Sequence, residues 1–524
     1  MTRDRVAALG LVVSVWAVSL TQLDRFPPLH DDEAWILSPG VKLFSQGVYG
    51  SDLFAGFAGM ERHYFEFMPL LSVLQGAGAR LWGTGVFQMR FLPVLLAALL
   101  LALTFSLARW LAGPVVALAA ALLLLGWQWL PGGARILGTG IPLVDLARLA
   151  RYDVLAALLG LAALFAFIRG SSISRRPPCL DLLAGLLVGL AGLAQLYGLF
   201  WLAVFISGLA VTRLRYGQDG GGRRLAWLLG GSGLVWLPWG VYVANGLADY
   251  RAQMRLHGTQ FDLFVPSFYL GNLLNEGRRY ALGLRDPTIV TRAGFWLLVV
   301  GAPIALAWLA WRASRGDQAA FWLVWSCLVF PLLLALLVQR KTFDYLVTVV
   351  PLVSIALAWG LVALARRGPV TRLAVVAWLV LAVLQGSWTI VQMQRRASQV
   401  DPVPDAFFVQ LRHLIAPGER VVGPTAYAVG VPETAYRSYA LPFYLADPDL
   451  APAPLALDDA LEALAPDVLL MSPQWALSMQ GDPVTRRPDR RLQFAAFMAR
   501  HQARLVANLR DSEGAPIQVF RLSP

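Results

Sequence analysis

Charge is scarce in this chain. Of 524 residues only 15% are charged while 57% are hydrophobic, and the mean hydropathy is +0.58. An average so apolar over that length excludes an ordinary soluble domain and fits a polytopic membrane protein. Cysteine is almost absent. Cys179 lies in a basic loop and Cys327 inside an apolar run, so neither a disulfide framework nor a thiolate metal site is expected. No glycine-rich phosphate loop or dinucleotide fingerprint occurs, which excludes the common nucleotide sites. No internal repeat is visible, which weighs against the duplicated architecture of many secondary transporters. Lysine is reduced to two positions, Lys42 and Lys341, against a background of arginine.

What is present in quantity is long apolar runs. Segments long enough to span a bilayer fall at 7–23, 88–108, 114–130, 146–168, 180–195, 198–212, 225–243, 293–311, 319–338, 345–364 and 372–393, about eleven spans by the usual helix length. The start, with a basic flank and no small-residue cleavage site, reads as an uncleaved first helix. The net charge of +12 would suggest nucleic acid in a soluble protein. Here the arginines collect between apolar runs, and placing the N-terminus in the cytoplasm puts Arg3, Arg109, Arg169, Arg213, Arg312 and Arg366 with their neighbours inside, the positive-inside pattern. An odd number of spans then exports the C-terminal region.

Four stretches are therefore expected outside: 24–87, 131–145, 244–292 and everything beyond about 395. The division expected is a transmembrane domain over 1–394, its first outer loop at 24–87, and an extracytoplasmic α/β domain over 395–524. In the first loop, EFMPLLSVLQGAGARLW predicts an amphipathic helix along the interface. In the last region GERVVGPTAYAV, PDVLLM and APIQVFRL read as short strands and DALEALA as a helix. Trp127, Trp129, Trp236 and Trp239 near span ends read as interfacial belt residues.

The chemistry-bearing residues gather on those outer stretches. Asp31, Asp32 and Glu33 open the first loop, followed by His63 and Glu66 in ERHYFEFMPL. Arg148, Arg151 and Asp153 stand at the entrance of the fourth span, and Arg340, Lys341 and Asp344 in QRKTFDYL at the entrance of the tenth. Charge close to hydrocarbon is expensive unless solvated or paired, so three adjacent carboxylates there require a reason. A carboxylate takes a proton from an attacking hydroxyl, and fixed cations neutralise a phosphate leaving group. The competing reading of the triplet is a helix N-cap. His63 with Glu66 and His30 is too loosely spaced to define a metal site, and no metal ligand is assigned.

With DDEAW in the first loop, ARYD entering the fourth span, a Lys/Arg…Tyr-Leu…Pro segment late in the membrane region and an exported C-terminal domain, the chain resembles the polytopic glycosyltransferases of the GT-C fold. The type it resembles is that of the protein O-mannosyltransferases and lipid A aminoarabinose transferases, glycosyltransferase family 39 and its relatives. The resemblance covers roughly residues 1–364. It implies transfer of a sugar, with inversion, from a polyprenyl-phosphate donor to a glycolipid, polysaccharide or protein acceptor on the outer face, with no cofactor required and a divalent metal compatible. Asp32 matches the base, Glu33 its partner and Asp153 a second acidic residue of the active site. Arg151, Arg340 and Lys341 match charge partners of donor and phosphate, with Asp31, His63, Glu66 and Tyr345 as further substrate contacts. Where relatives carry Lys-Pro-Pro-Leu this chain has Phe67-Met68-Pro69-Leu70, so a lysine contact is missing there. The Ala-, Leu- and Arg-heavy composition suggests a bacterial inner membrane and an undecaprenyl carrier. A polyprenyl-pyrophosphate glycan ligase and a lipid or sugar flippase remain as alternatives.

Overall fold

Runs of leucine and alanine with few polar interruptions can satisfy their backbone in lipid only as helices. The computed structural model, described over residues 3–126, 128, 138–171, 178–216, 221–257, 263–279, 293–451, 453–481 and 488–523, is accordingly mostly helical. Among the described residues six helices are long and apolar enough to cross a membrane: Val86–Ala112, Asp153–Gly170, Leu196–Arg215, Gly221–Asn245, Gln318–Leu337 and Pro369–Ser398. Shorter apolar helices occupy Leu9–Leu20, Pro114–Gly126, Pro178–Ala194, Val299–Ser314 and Val350–Ala365. The chain is a multi-pass membrane protein. Trp127 and Trp129 lie outside the described residues.

Contacts divide the chain into two units. The first comprises Met1–Thr21, Pro93–Asn245 and Thr259–Arg395. Small residues let its helices approach closely. A methyl group added at Gly185 would stand 2.2 Å from the Leu228 carbonyl oxygen, and one at Gly231 2.5 Å from that of Leu182. Beside this seam Arg224 donates to Asp181 at 2.8 Å and covers the Phe167 ring at 4.0 Å, so an arginine read as a loop charge is a buried ion pair. Cys179 and Cys327 are both free.

The second unit comprises Gln22–Leu92, Gly246–Gly258 and Arg396–Pro524. The first outer loop, grouped above with the membrane helices, thus packs with the C-terminal region. Two helices build it, Asp31–Gln46 and Pro69–Trp82. The first was weighed on the sequence only as the helix that the acidic triplet would cap. Pro39 inside it withholds an amide, and the next turn is rewired: Gly40 N–H donates to Ser72 Oγ at 3.1 Å, and Ser72 Oγ donates to the Ile36 carbonyl at 2.6 Å. The hydroxyl is inserted into the helical ladder where proline weakens it. Only glycine admits that approach, since a Cβ at Gly40 would lie 1.8 Å from the Ser72 carbonyl oxygen.

In the C-terminal region five strands form one sheet: β1 Arg420–Gly423, β2 Ala435–Ser438, β3 Val468–Met471, β4 Arg504–Arg510 and β5 Pro516–Arg521, in the order β2-β1-β3-β5-β4. β1 pairs in parallel with β2 and β3, while β5 runs antiparallel to β3 and β4. Strands β1, β3 and β5 fall in the three segments read as strands, and the Leu457–Leu464 helix in the segment read as helical. Trp475 and Phe497, both fully enclosed, centre the core between sheet and helices with Leu461 and Leu469.

Candidate active-site residues

In the second unit the acidic triplet is the first turn of a helix rather than a loop. His30 is its N-cap, accepting the Asp32 amide at 3.2 Å on Nδ1, while Glu33 reaches back to the His30 amide at 3.0 Å. This reciprocal pair is a capping box, and carboxylates in a first turn gain from the helix dipole. The capping reading weighed on the sequence therefore accounts for part of the motif.

The three carboxylates then part company. Glu33, read above as a catalytic partner, is wholly enclosed and takes Arg90 Nε at 2.8 Å and Nη2 at 2.7 Å. Arg90 in turn donates to the carbonyls of Leu23, Pro27 and Pro28. The geometry makes Glu33 the clamp that closes the polypeptide entering the helix. Asp31, read as a substrate contact, accepts the Ala426 amide at 2.9 Å. Burial pushes its carboxyl above the usual range, against the lowering effect of that amide and of the Tyr439 hydroxyl. Asp31 thus fastens the helix to the segment after β1. Asp32 remains at the surface, with 23% of its side chain exposed and His30 Nδ1 at 3.8 Å.

His63 and Glu66 are half-buried in the same unit. His63 Nδ1 stands 2.8 Å from Asp249, and Arg62 grips the same carboxylate through Nε and Nη2, each at 2.7 Å. The arginine holds the Asp249 carboxyl below its usual range, with His63 adding to the effect. Asp249 was missed on the sequence; a lone aspartate far along the chain carries no local signal. Tyr64, between these residues, has its phenol held well above the usual value, first by burial and then by the charges of Glu66 and Asp32. Asp32, Tyr64 and Glu66 are therefore electrostatic neighbours.

In the first unit the two other motifs meet. Arg148 is fully buried and donates to the carbonyls of Ser19 and Thr21. Arg151 Nε lies 3.0 Å from Asp153, and its Nη2 lies 3.4 Å from Asp344. Tyr197 donates to Asp153 at 2.8 Å and meets the Tyr345 ring edge-on at 5.2 Å. Asp153 is thus enclosed and fully engaged, as a buried carboxylate must be. Arg279 also stands 5.5 Å from the Tyr345 ring and is paired to Glu276 at 2.6 Å. Lys341 shares that glutamate at 2.9 Å, and burial draws the ammonium below the usual lysine value while Glu276 opposes. Arg340 is exposed. Tyr197, Glu276 and Arg279 were not singled out; NEGRRY, rich in charge on an outer stretch, was the available signal.

Arg151, Arg279 and Lys341 balance Asp153, Asp344 and Glu276, so excess positive charge in this cluster comes from Arg340 and Arg278, both exposed. Beside Lys341 opens a cavity of about 560 Å³, lined in part by Asn272, Asn275, Arg278 and Gln339. Among the described residues no group of three metal-ligating side chains is gathered.

No protein-family model matches the sequence, and no curated protein matches it. Solved structures do match. ArnT from Cupriavidus metallidurans bound to undecaprenyl phosphate aligns over 98% of this chain and 97% of its own, with TM-score 0.63 and 17% identity. The Archaeoglobus fulgidus oligosaccharyltransferase in complex with Zn and sulfate aligns over 88% of this chain and 68% of its own, with TM-score 0.55 and 14% identity. The arabinofuranosyltransferase AftD from Mycobacteria aligns over all of this chain and 40% of its own, with TM-score 0.54 and 14% identity. At such identities the likeness is one of architecture. The chain has the GT-C fold, that of polytopic membrane glycosyltransferases.

Proposed function

We propose that this protein is a membrane glycosyltransferase that moves a sugar from a polyprenyl-phosphate donor to an acceptor hydroxyl, with Asp32 as general base. The observation that supports the reading is the fate of the acidic triplet: Glu33 is enclosed against Arg90 and Asp31 takes the Ala426 amide, while 23% of the Asp32 side chain stays exposed. Asp32 takes the acceptor proton as the acceptor oxygen attacks the anomeric carbon. The bond from that carbon to the donor phosphate oxygen breaks, and polyprenyl phosphate departs with the electron pair. Arg340 and Lys341, with Arg151, are assigned to the charge of the leaving phosphate, Asp153 and Tyr345 to keeping Arg151 and its neighbours in place, and His63 and Glu66 to substrate contact. The structurally similar ArnT was captured with undecaprenyl phosphate, which supports a donor of that class. Orientation with the N-terminus in the cytoplasm and residence in a bacterial inner membrane belong to the same reading.

The test is sugar transfer from polyprenyl-phosphate donors in membranes carrying wild type or Asp32→Asn, with product and released lipid phosphate read by mass spectrometry. Release by wild type and a loss of at least about a hundredfold in the variant, at equal protein level, is expected. Equal turnover in the two would remove Asp32 from the chemistry, and release of lipid pyrophosphate instead would identify a glycan ligase.

A further inference from the structure

One lysine of the two in the chain, Lys42, has no part in that reaction. It lies on the Asp31–Gln46 helix, along the side that also carries Ala34, Ser38 and Ser45. These positions recur every three or four residues and form one wall of a cavity of about 420 Å³. The opposite wall is the segment after β1 together with β2, contributing Thr434 and Arg437. The cavity begins at Ala34, in the same helical turn as Asp32, and ends at Gln46. Its lining is mixed, with hydroxyls, an amide, the Lys42–Asp52 pair and Arg437 set among apolar side chains. That mixture is what polyhydroxylated ligands meet in a groove.

Its two cations differ. Lys42 is satisfied, holding Asp52 at 2.5 Å and the Glu61 carbonyl at 2.7 Å. Arg437 is not. Its half-buried guanidinium makes one hydrogen bond, from Nη1 to the Tyr436 carbonyl at 3.1 Å. Partial burial pulls its pKa below the usual arginine value, and the more distant charges of Asp52 and Glu61 compensate in part. A guanidinium carries five donors in a rigid fork matched to carboxylate or phosphate, and most of this fork is left to whatever fills the cavity.

We propose that this groove is the acceptor subsite and takes a hydroxyl-rich chain bearing an anionic group, phosphate or carboxylate, which pairs with Arg437. Ser38, Ser45, Gln46 and Thr434 take the hydroxyls, and the reacting end of the chain emerges at the turn of Asp32. The inference rests on the transferase reading for the word acceptor, and not for the binding itself.

The full-length protein in detergent is titrated with three oligosaccharides of equal length, one neutral, one uronate-rich and one phosphorylated, by microscale thermophoresis at low and high salt. Wild type is expected to bind at least one anionic chain about tenfold or more tighter than the neutral one, with the margin shrinking at high salt. Whichever anion is preferred identifies the group. Arg437→Ala erases the margin, and Arg437→Lys restores only part of it. Ser45→Trp, at an exposed position on the groove wall, removes binding of all three. The proposal is overturned if wild type binds neither anionic chain, or if the preference survives in Arg437→Ala. Binding needs no donor, so a wild type that binds but never transfers sugar would sink the transferase reading alone, and one that transfers sugar but lacks the preference would sink the groove alone.

Discussion

Replacing Glu33 by glutamine separates an architectural carboxylate from a catalytic one. The side chain keeps its size, so packing is undisturbed and only charge is removed. Arg90 is then left wholly buried with three carbonyl acceptors and no counter-charge. Breaking a buried ion pair from one side costs about 3–5 kcal/mol, because the surviving charge has no compensation. That is a large fraction of the stability of most domains. The loss falls on the segment Leu23–Pro28 and the first turn of the Asp31–Gln46 helix, which Arg90 ties together. Thermal unfolding of the solubilised protein should therefore show a marked drop for Glu33→Gln and none beyond about 0.5 kcal/mol for Asp32→Asn, whose side chain reaches water. Sugar transfer by Glu33→Gln, measured well below its unfolding temperature, should follow the fraction still folded. A variant as stable as wild type yet inactive in transfer would refute this reasoning and return Glu33 to the chemistry.

Two further expectations bear on the same clusters. Asp31 has a folded-state pKa raised above its unfolded value, so the folded form holds the proton more tightly, and its contribution to stability falls as pH rises from the ordinary carboxylate range through the raised pKa. Asp31→Asn keeps an oxygen for the Ala426 amide and should flatten that part of the profile, with a melting temperature near neutral pH equal to or above wild type; a variant with the wild-type profile would place the titration elsewhere. Tyr197→Phe deletes the hydroxyl that donates to Asp153 and leaves a buried carboxylate oxygen short of a donor, at a cost of about 1.5–3 kcal/mol for a bond to a charged group. Unchanged unfolding in Tyr197→Phe would mean that Arg151 alone satisfies Asp153.

The sequence made the membrane helices legible because lipid demands long uninterrupted apolar runs, and it made the fold class legible through the order of those runs and the change of composition near residue 395. Boundaries were less legible. The fourth run was read from 146, yet the helix starts at Asp153 after the separate short helix Pro142–Ala147; hydropathy registers both and misses the break over 148–152. The tenth was read from 345, but Phe343–Thr348 forms a tighter 3-10 turn before the helix begins at Val350. Strands β2 and β4, AYRS and RLVANLR, went unread because their charged residues mask alternation on short segments. Partners separated by long stretches of chain, such as His63 with Asp249 or Arg151 with Asp344, leave no trace in local pattern.

The acidic triplet shows how residue type and spacing mislead about the separate roles of neighbouring side chains. Read as a string, Asp31, Asp32 and Glu33 form a single cluster of negative charge, and a cluster invites a single role. Once the string becomes the first turn of a helix, successive side chains leave the axis about 100° apart, so three neighbours cannot face one site. Nor could three carboxylates share a pocket without strong mutual repulsion. The helix resolves both constraints by distributing them: Asp31 toward the Ala426 amide, Glu33 toward Arg90, and Asp32 onto a partly exposed side. Two of those directions are supplied by residues 57 and 395 positions away. The same helix runs onward, and the side that holds Ala34 and Ser38 continues to Ser45 and lines the groove facing Arg437. In the proposed reading a base at the helix start and a binding wall along the same helix are one geometric consequence, since both are carried by the Asp31–Gln46 helix.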